Sequence, residues 1–339
     1  MNGYALRLLL LAQFCAGVLA APAPAQADEA IKIGVVKTLA VGPIFVAQER
    51  GYFAREGLAA EIVFVDSAEP IAVAAASGAI DFGVTGLSAG FYSLAGQGVL
   101  RIIAAGNREM PGFKNAGYIV SNRAYDGGLT ALDKLAGHSV AVTQVGGMLH
   151  YDLGLAIEHY GLDAKTIRVL AVQSNTNMST TIAGGQADMG VFPVTPAMVL
   201  LGRGDAKLLG WVGDLVPYGQ ANGAFTATRI ADARGDTVAR FLRAYKAGAH
   251  DYHDAFAAPD EARKDGKEAP EILAILHKYT GQAPEQIAQA IPWVDGAARL
   301  DVADIVHQLE WFHTQGLLKG DVDAAQVIDA RYVVALPHR

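Results

Sequence analysis

Cysteine is all but missing from this chain of 339 residues: one occurs, Cys15. A lipid-anchored protein needs small residues just before its cysteine, and Phe14 stands there instead. Beyond residue 27 there is no cysteine at all, which excludes disulfides, thiolate metal sites and a cysteine nucleophile. No Lys/Arg-rich run interrupts a mildly acidic chain of formal net charge −7. Nucleic acid and anionic membrane surfaces are therefore not its expected partners. Past residue 27 no apolar stretch reaches the length of a membrane span. Aromatics are sparse at 8%. Phosphate-binding loops, dinucleotide fingerprints and calcium loops are absent from the sequence. The histidines are scattered. His250 and His253 read as solvated, and His307 and His313 lie six apart where a helix-face pair needs three or four. His150 and His159 are nine apart, though His150 follows a Gly-Gly turn. No cofactor and no metal are expected.

What is present begins with a leader. Arg7 precedes an apolar run from Leu8 to about Ala21, then small residues and prolines, ending in Ala25-Gln26-Ala27. A positive start, a short apolar core and an A-x-A end describe a cleavable secretory signal over residues 1–27. Export to a periplasm is the expectation. The remaining chain of about 310 residues is near the upper size for one core, so two lobes are expected.

An internal duplication supports that. Ser77-Gly78-Ala79-Ile80-Asp81-Phe82-Gly83-Val84 aligns with Gly184-Gly185-Gln186-Ala187-Asp188-Met189-Gly190-Val191, with Gly, Asp, Gly and Val in register. Upstream, Ile31–Val36 and Ser139–Thr143 read as strands, each followed by a Gly-containing loop and a helical pattern. These helices end at Gly57-Leu58 and Gly161-Leu162, where glycine supplies a left-handed stop. Second strands follow at Glu61–Val65 and Ile167–Val172. Both halves thus read β-α-β-α-β, which implies mainly parallel sheets covered on both faces. Further strands are read at 101–105, 118–121, 207–212 and 224–227. From Gly235 the chain reads as mostly helical. Asp236 is the expected cap of a helix through Tyr252, and Asp301 of one through Gln315, stopping at Gly316. The fold class is α/β, two-lobed, each lobe a mainly parallel sheet flanked by helices, with a helical C-terminal part. Lobe one is expected over 28–112 plus 224–339, and lobe two over 113–223.

Open parallel sheets bind ligands at the carboxyl ends of their strands, where helix N-termini gather unpaired N–H groups. That predicts the site. From lobe one come Lys37, Thr38 and Leu39 after the first strand, and Gly86, Leu87 and Ser88 after the third. From lobe two come Thr143, Gln144, Gly146, Gly147 and Met148, then Asn175, then Phe192, Pro193 and Thr195. Each hydroxyl here has a second reading as a helix cap, and Lys37 as a solvated charge.

The residues now assembled carry a resemblance. Gly42 to Leu58 (GPIFVAQERGYFAREGL) resembles the first-helix signature of periplasmic binding proteins for nitrate, sulfonate and taurine uptake. Gly78-x-x-Asp81-x-Gly83 with Gly86, the Leu132 to Val142 segment, and Gly185-Gln186-x-Asp188 with Pro196 are similar as well. The pattern covers most of residues 31–200. It implies a two-lobed binding protein that traps a small organic anion by hinge closure and hands it to an ABC permease and its ATPase. A monomer is expected. Gly147-Met148 stands where sulfonate binders tend to carry a Ser/Thr pair, and only Phe192 is aromatic near Pro193. These departures point away from taurine, toward an anion with an apolar body such as an aromatic carboxylate or an alkyl or aryl sulfonate.

Two other functions were open to the sequence. Gly86-Leu87-Ser88-Ala89-Gly90 matches the G-x-S-x-G nucleophile elbow, and a strand precedes it. Only about 60 residues separate it from the leader, and no histidine occurs among them. Desulfinase relatives of the superfamily use a cysteine, and the chain beyond residue 27 has none. A periplasmic sensor subunit would bind the same ligand and signal instead of transporting. An enzyme is not the expectation.

Overall fold

The computed structural model describes residues 28–337. The expected leader lies outside the described residues. Ten strands build two five-stranded sheets: β1 (Glu29–Val36), β2 (Leu58–Val65), β3 (Phe82–Gly86), β4 (Leu100–Ala105), β5 (Ala116–Ser121), β6 (Ser139–Val142), β7 (Arg168–Ala171), β8 (Met189–Pro193), β9 (Ala206–Trp211) and β10 (Asn222–Ala227). Sheet one has the order β2-β1-β3-β10-β4, and sheet two β9-β5-β8-β6-β7. Strands β1, β2 and β3 run parallel, as do β6, β7 and β8. Into each sheet one strand enters antiparallel from the other half: β10 beside β3 and β4, β5 beside β8 and β9. The chain passes between sheets twice, over residues 106–115 and 212–221.

The helices of eight residues or more are α1 (Gly42–Glu49), α2 (Ala68–Ser77), α3 (Ala89–Gly96), α4 (Met148–His159), α5 (Asn175–Ala183), α6 (Val194–Arg203), α7 (Gly235–Phe256), α8 (Ala269–Thr280) and α9 (Val302–Thr314). Gly57 and Gly161 take φ of 65° and 61°, the left-handed stops read from the sequence. Helix α7 follows from its apolar spacing: Val238, Phe241, Leu242, Tyr245, Ala249, Tyr252 and Phe256 fall on one face, and all are buried. Burying each large side chain among them contributes roughly 1.5–3 kcal/mol. Gly248 lies on that face because α1 passes close: a Cβ there would sit 2.3 Å from the Pro43 carbonyl oxygen. Asp236 does not cap α7. The helix begins one residue earlier, at Gly235, so Asp236 falls inside the first turn, where its carboxylate accepts from Arg240 Nε at 2.8 Å. Asp301 does cap α9, accepting from the Asp304 amide at 3.2 Å.

The repeated G-x-x-D-x-G-V motif performs one task twice. The Asp81 carboxylate accepts from the Lys32 amide at 2.8 Å, while the Asp81 amide donates to the Lys32 carbonyl at 2.9 Å. The Asp188 carboxylate accepts from the Ser139 amide at 2.8 Å, and its amide donates back to the Ser139 carbonyl at 3.2 Å. An arginine meets each: Arg234 at 2.6 Å from Asp81 and Arg123 at 2.9 Å from Asp188. The motif thereby staples the start of the third strand to the start of the first. Its second glycine makes room for packing, since a Cβ on Gly83 would meet Phe225 at 2.5 Å and one on Gly190 would meet Phe192 at 2.6 Å. Among the described residues, no helix is long and apolar enough to cross a membrane.

Candidate functional site

With strands of like direction in both sheets, the carboxyl ends of β1, β2 and β3 face those of β6, β7 and β8. A cavity of about 100 Å³ lies between them. Sheet one contributes Thr38 and Ala40 after β1, Asp66 and Ser67 after β2, and Thr85 and Gly86 at the end of β3. Sheet two contributes Thr143 and Gln144 after β6, Asn175 after β7 and Pro193 at the end of β8. Met148, Leu149 and Asp152 reach in from the first turns of α4, Asn115 from the first segment between the sheets and Asn222 from the start of β10. Val36, Val41, Met148 and Leu149 give the walls an apolar share.

Of the residues expected from sequence, Thr38, Gly86, Thr143, Gln144, Gly147, Met148, Asn175 and Pro193 line this cavity. Gly146 takes φ of 81° and Gly147 follows as the start of α4, with no side chain capping that helix. A Cβ at Gly147 would meet Gln144 Cγ at 2.8 Å. Helix α2 at Ser67 and helix α6 at Pro193 likewise begin with no side-chain cap. Three helix N-termini thus open toward the cavity and give it a partial positive potential.

The other expected residues stand elsewhere, each for a physical reason. Lys37 is exposed and turns its ammonium over the Phe64 ring, 5.8 Å from the centroid. Leu39 and Leu87 are buried in the core. Ser88 is 2% exposed and fully engaged: its hydroxyl donates to Glu69 Oε2 at 2.6 Å and accepts from the Phe91 amide at 3.0 Å, capping α3. Its proton goes to a carboxylate and not to a histidine, unlike the activated serine of a hydrolase elbow. Phe192 is buried in the core, so the apolar wall at that end comes from Met148. Gly146 and Thr195 hold the two lobes together. The Gly146 carbonyl accepts from the Ala89 amide at 2.8 Å. Thr195 Oγ1 accepts from the Leu39 amide at 3.3 Å, and its carbonyl accepts from Gln282 Nε2 at 3.1 Å. His150 is turned away, its Nδ1 accepting from the Gly146 amide at 3.1 Å beside Trp311, and burial lowers its pKa.

Asp66, Asp152, Asn115 and Asn222 were missed. Asp66 was reachable by the rule used for the other turns, since it follows β2 directly. Asp152 lies four residues after Met148 and so on the same helical face. Asn115 sits between the sheets, where no strand end marks it, and Asn222 opens β10 two residues before the strand read from the sequence. Asp152 is 3% exposed. Burial raises its pKa well above the carboxylate range, and the charges of Glu109 and Asp304 add to this. Glu109, beside the cavity and accepting from Asn115 Nδ2, is pushed up to about 8, chiefly by burial. Among the described residues lining the cavity there is no Lys, Arg or His.

A second rim of contacts closes the cleft from the C-terminal side. Trp311 of α9 fills the space over Gly154 of α4, where a Cβ would sit 2.3 Å from the indole. Tyr151 Oη lies 2.6 Å from His307 Nδ1. Helix α9 in turn belongs with sheet one, since Gln308 Oε1 accepts from Tyr92 Oη at 2.7 Å.

Comparison with known proteins agrees with this architecture. No curated protein sequence matches the chain significantly. Among solved structures, the alkanesulfonate-binding protein SsuA from Xanthomonas axonopodis pv. citri, bound to MOPS, is 20% identical with a TM-score of 0.70, over 91% of this chain and 98% of that one. The periplasmic nitrate-binding protein NrtA from Synechocystis PCC 6803 is 14% identical with a TM-score of 0.69, covering 87% and 83%. The ligand-binding component of an ABC-type import system from Staphylococcus aureus is 12% identical with a TM-score of 0.72, covering 90% and 97%. At these identities the likeness is one of fold, and the fold is the two-lobed one of periplasmic binding proteins. The sequence model described as NMT1/THI5 like matches residues 39–262, well over half of the chain, and the protein belongs to that family.

Proposed function

We propose that this protein is the solute-binding component of an ABC import system, exported to the periplasm, where it captures a small organic solute between its lobes and delivers it to a permease and its ATPase. The observation that carries the reading is a single cavity walled by strand-end turns of both sheets, with helix N-termini opening into it. Lobe one, 28–112 plus 224–339, and lobe two, 113–223, would hinge at the two segments between the sheets. A solute that touches both lobes favours the closed arrangement by its contacts with each. The uncapped starts of α2, α4 and α6 suit an anionic head, a sulfonate or carboxylate, and Met148, Leu149, Val36 and Val41 suit an apolar body. The chain would work as a monomer, its closed face docking on the permease. Both the family and its solved neighbours named above speak for capture and against catalysis.

The test is a melting-temperature screen of the purified chain with alkyl and aryl sulfonates, aromatic carboxylates, nitrate and pyrimidines. Binding to the native state alone raises the melt by mass action, by about 2.7 kcal/mol of stability at a hundredfold excess over Kd. At least one class should shift it. A melt that stays put with every class, while a serine-reactive probe labels Ser88, would contradict capture. Gly147→Val should weaken the binding so found and leave the fold intact, because its side chain would enter the cavity wall against Gln144.

A further inference from the structure

The cavity has an uneven chemistry that helix N-termini do not explain. Its ionisable lining groups are two carboxyls, Asp66 at its exposed edge and Asp152 at its buried side, and neither has a cation among the lining residues to answer it. Asp152 is 3% exposed, and Tyr118 donates to its main-chain carbonyl and not to its carboxyl. Buried carboxyls are normally paired or hydrogen-bonded, because an unanswered one is costly. Asn175 repeats the pattern from the neighbouring turn: its Oδ1 is buried without a partner and borders the same cavity. Both border one space. A plain anion would leave the Asn175 oxygen without a donor.

We propose that the captured solute carries, beside its anionic or polar head, a cationic N–H donor (a protonated amine or an amidinium-like group) that seats against Asp152 and Asn175. The inference rests on the capture function proposed above and names the class of solute. It makes the ligand a zwitterion or an amine, with the N–H group toward Asp152 and Asn175 and the head toward the starts of α2 and α6.

The surroundings of Asp152 shape how this would be read. Glu109 from the segment before β5 and Asp304 from α9 both face it and raise its pKa, after burial. Asp214 faces Glu109, and His307 faces Asp304. Tyr118 donates to the Asp152 carbonyl oxygen at 2.8 Å, and Tyr151 is the neighbouring phenol on α4. Nearly all of this is acidic or neutral, which with burial favours the protonated carboxyl in the empty site. Seating an ammonium group would expel that proton to bulk water as the ion pair forms.

The experiment is titration calorimetry with matched probes: ethanesulfonate against 2-aminoethanesulfonate, and 4-methylbenzoate against 4-(aminomethyl)benzoate. Each is run in two buffers of different ionisation enthalpy and at pH 6 and pH 8. The amine-bearing member of a pair should bind about tenfold tighter or more, release a proton, and gain affinity toward pH 8. Asp152→Asn should remove both the preference and the proton release. The buffer dependence is read on the unaltered protein, so it stands even where that variant does not fold. Equal affinity within each pair, tighter binding of the plain anion, or proton uptake would overturn the inference while leaving capture intact. Binding of none of the four also overturns it, whereas capture itself fails only if no class in the melting screen shifts the melt.

Discussion

Asp81 and Asp188 do the same work in the two halves, each closing a short ring of hydrogen bonds between the first and third strands of its sheet. Asp188→Asn should therefore cost about 1–3 kcal/mol, seen as a lower urea midpoint with an unchanged slope. For Asp188, burial pushes the pKa up, but the Ser139 amide and hydroxyl, with His138 and Arg123 behind them, bring it below the ordinary value. A depressed carboxylate supports the fold above its unfolded pKa and loses that support as pH falls through the folded value. The acid limb of the stability curve should accordingly be shallower in the variant. Glu109 has the opposite sign. Its pKa is raised from 4.5 to about 8, so between those values the folded protein holds a proton that the unfolded chain has lost, and stability falls as pH rises. Glu109→Gln should flatten that decline; an unchanged slope of melting temperature against pH from 5 to 8 would remove Glu109 from the explanation. The G-x-x-D pattern was legible as a repeat in the sequence. Its hydrogen bonds were not, because the partner lies 49 residues away.

At the scale of elements, the alternation of strands and helices, the glycine stops and the turns at strand ends could all be read from local pattern. What the sequence hid was how each turn is spent. Ser88 and Gly146 look like ligand contacts by position, yet α3 needs its cap, and the Ala89 amide finds its acceptor in the opposite lobe. Such pairings are decided by two segments at once and leave no mark in either alone. The same holds for Gly154. Nothing near it announces that an indole from α9 must pack on α4, yet the space for a Cβ is already occupied by Trp311. Gly154→Ala should cost about 1–3 kcal/mol through overpacking. In a Trp311→Ala background the same change should cost close to nothing, a coupling that thermal melts of the four variants will read directly. Equal cost in both backgrounds would mean the two helices do not depend on this contact.

At the scale of the whole molecule, the cleft is bridged along two edges. Contacts join the lobes at the Leu39–Thr195 and Ala89–Gly146 edge and again at the α4–α9 edge. These combine hydrogen bonds with the packing of Trp311 against Gly154. Capture on this account is a shift between open and closed forms, drawn toward closure by a solute that touches both sheets. The chain from residue 28 has no cysteine of its own, so spin labels can be placed at will. The most direct measurement is the distance between labels at Val73→Cys, exposed on α2, and Leu208→Cys, exposed on β9, with and without the solute that raises the melt. The account predicts a broad distribution that shortens and narrows on saturation. The same distribution at saturating solute would contradict closure as the means of capture.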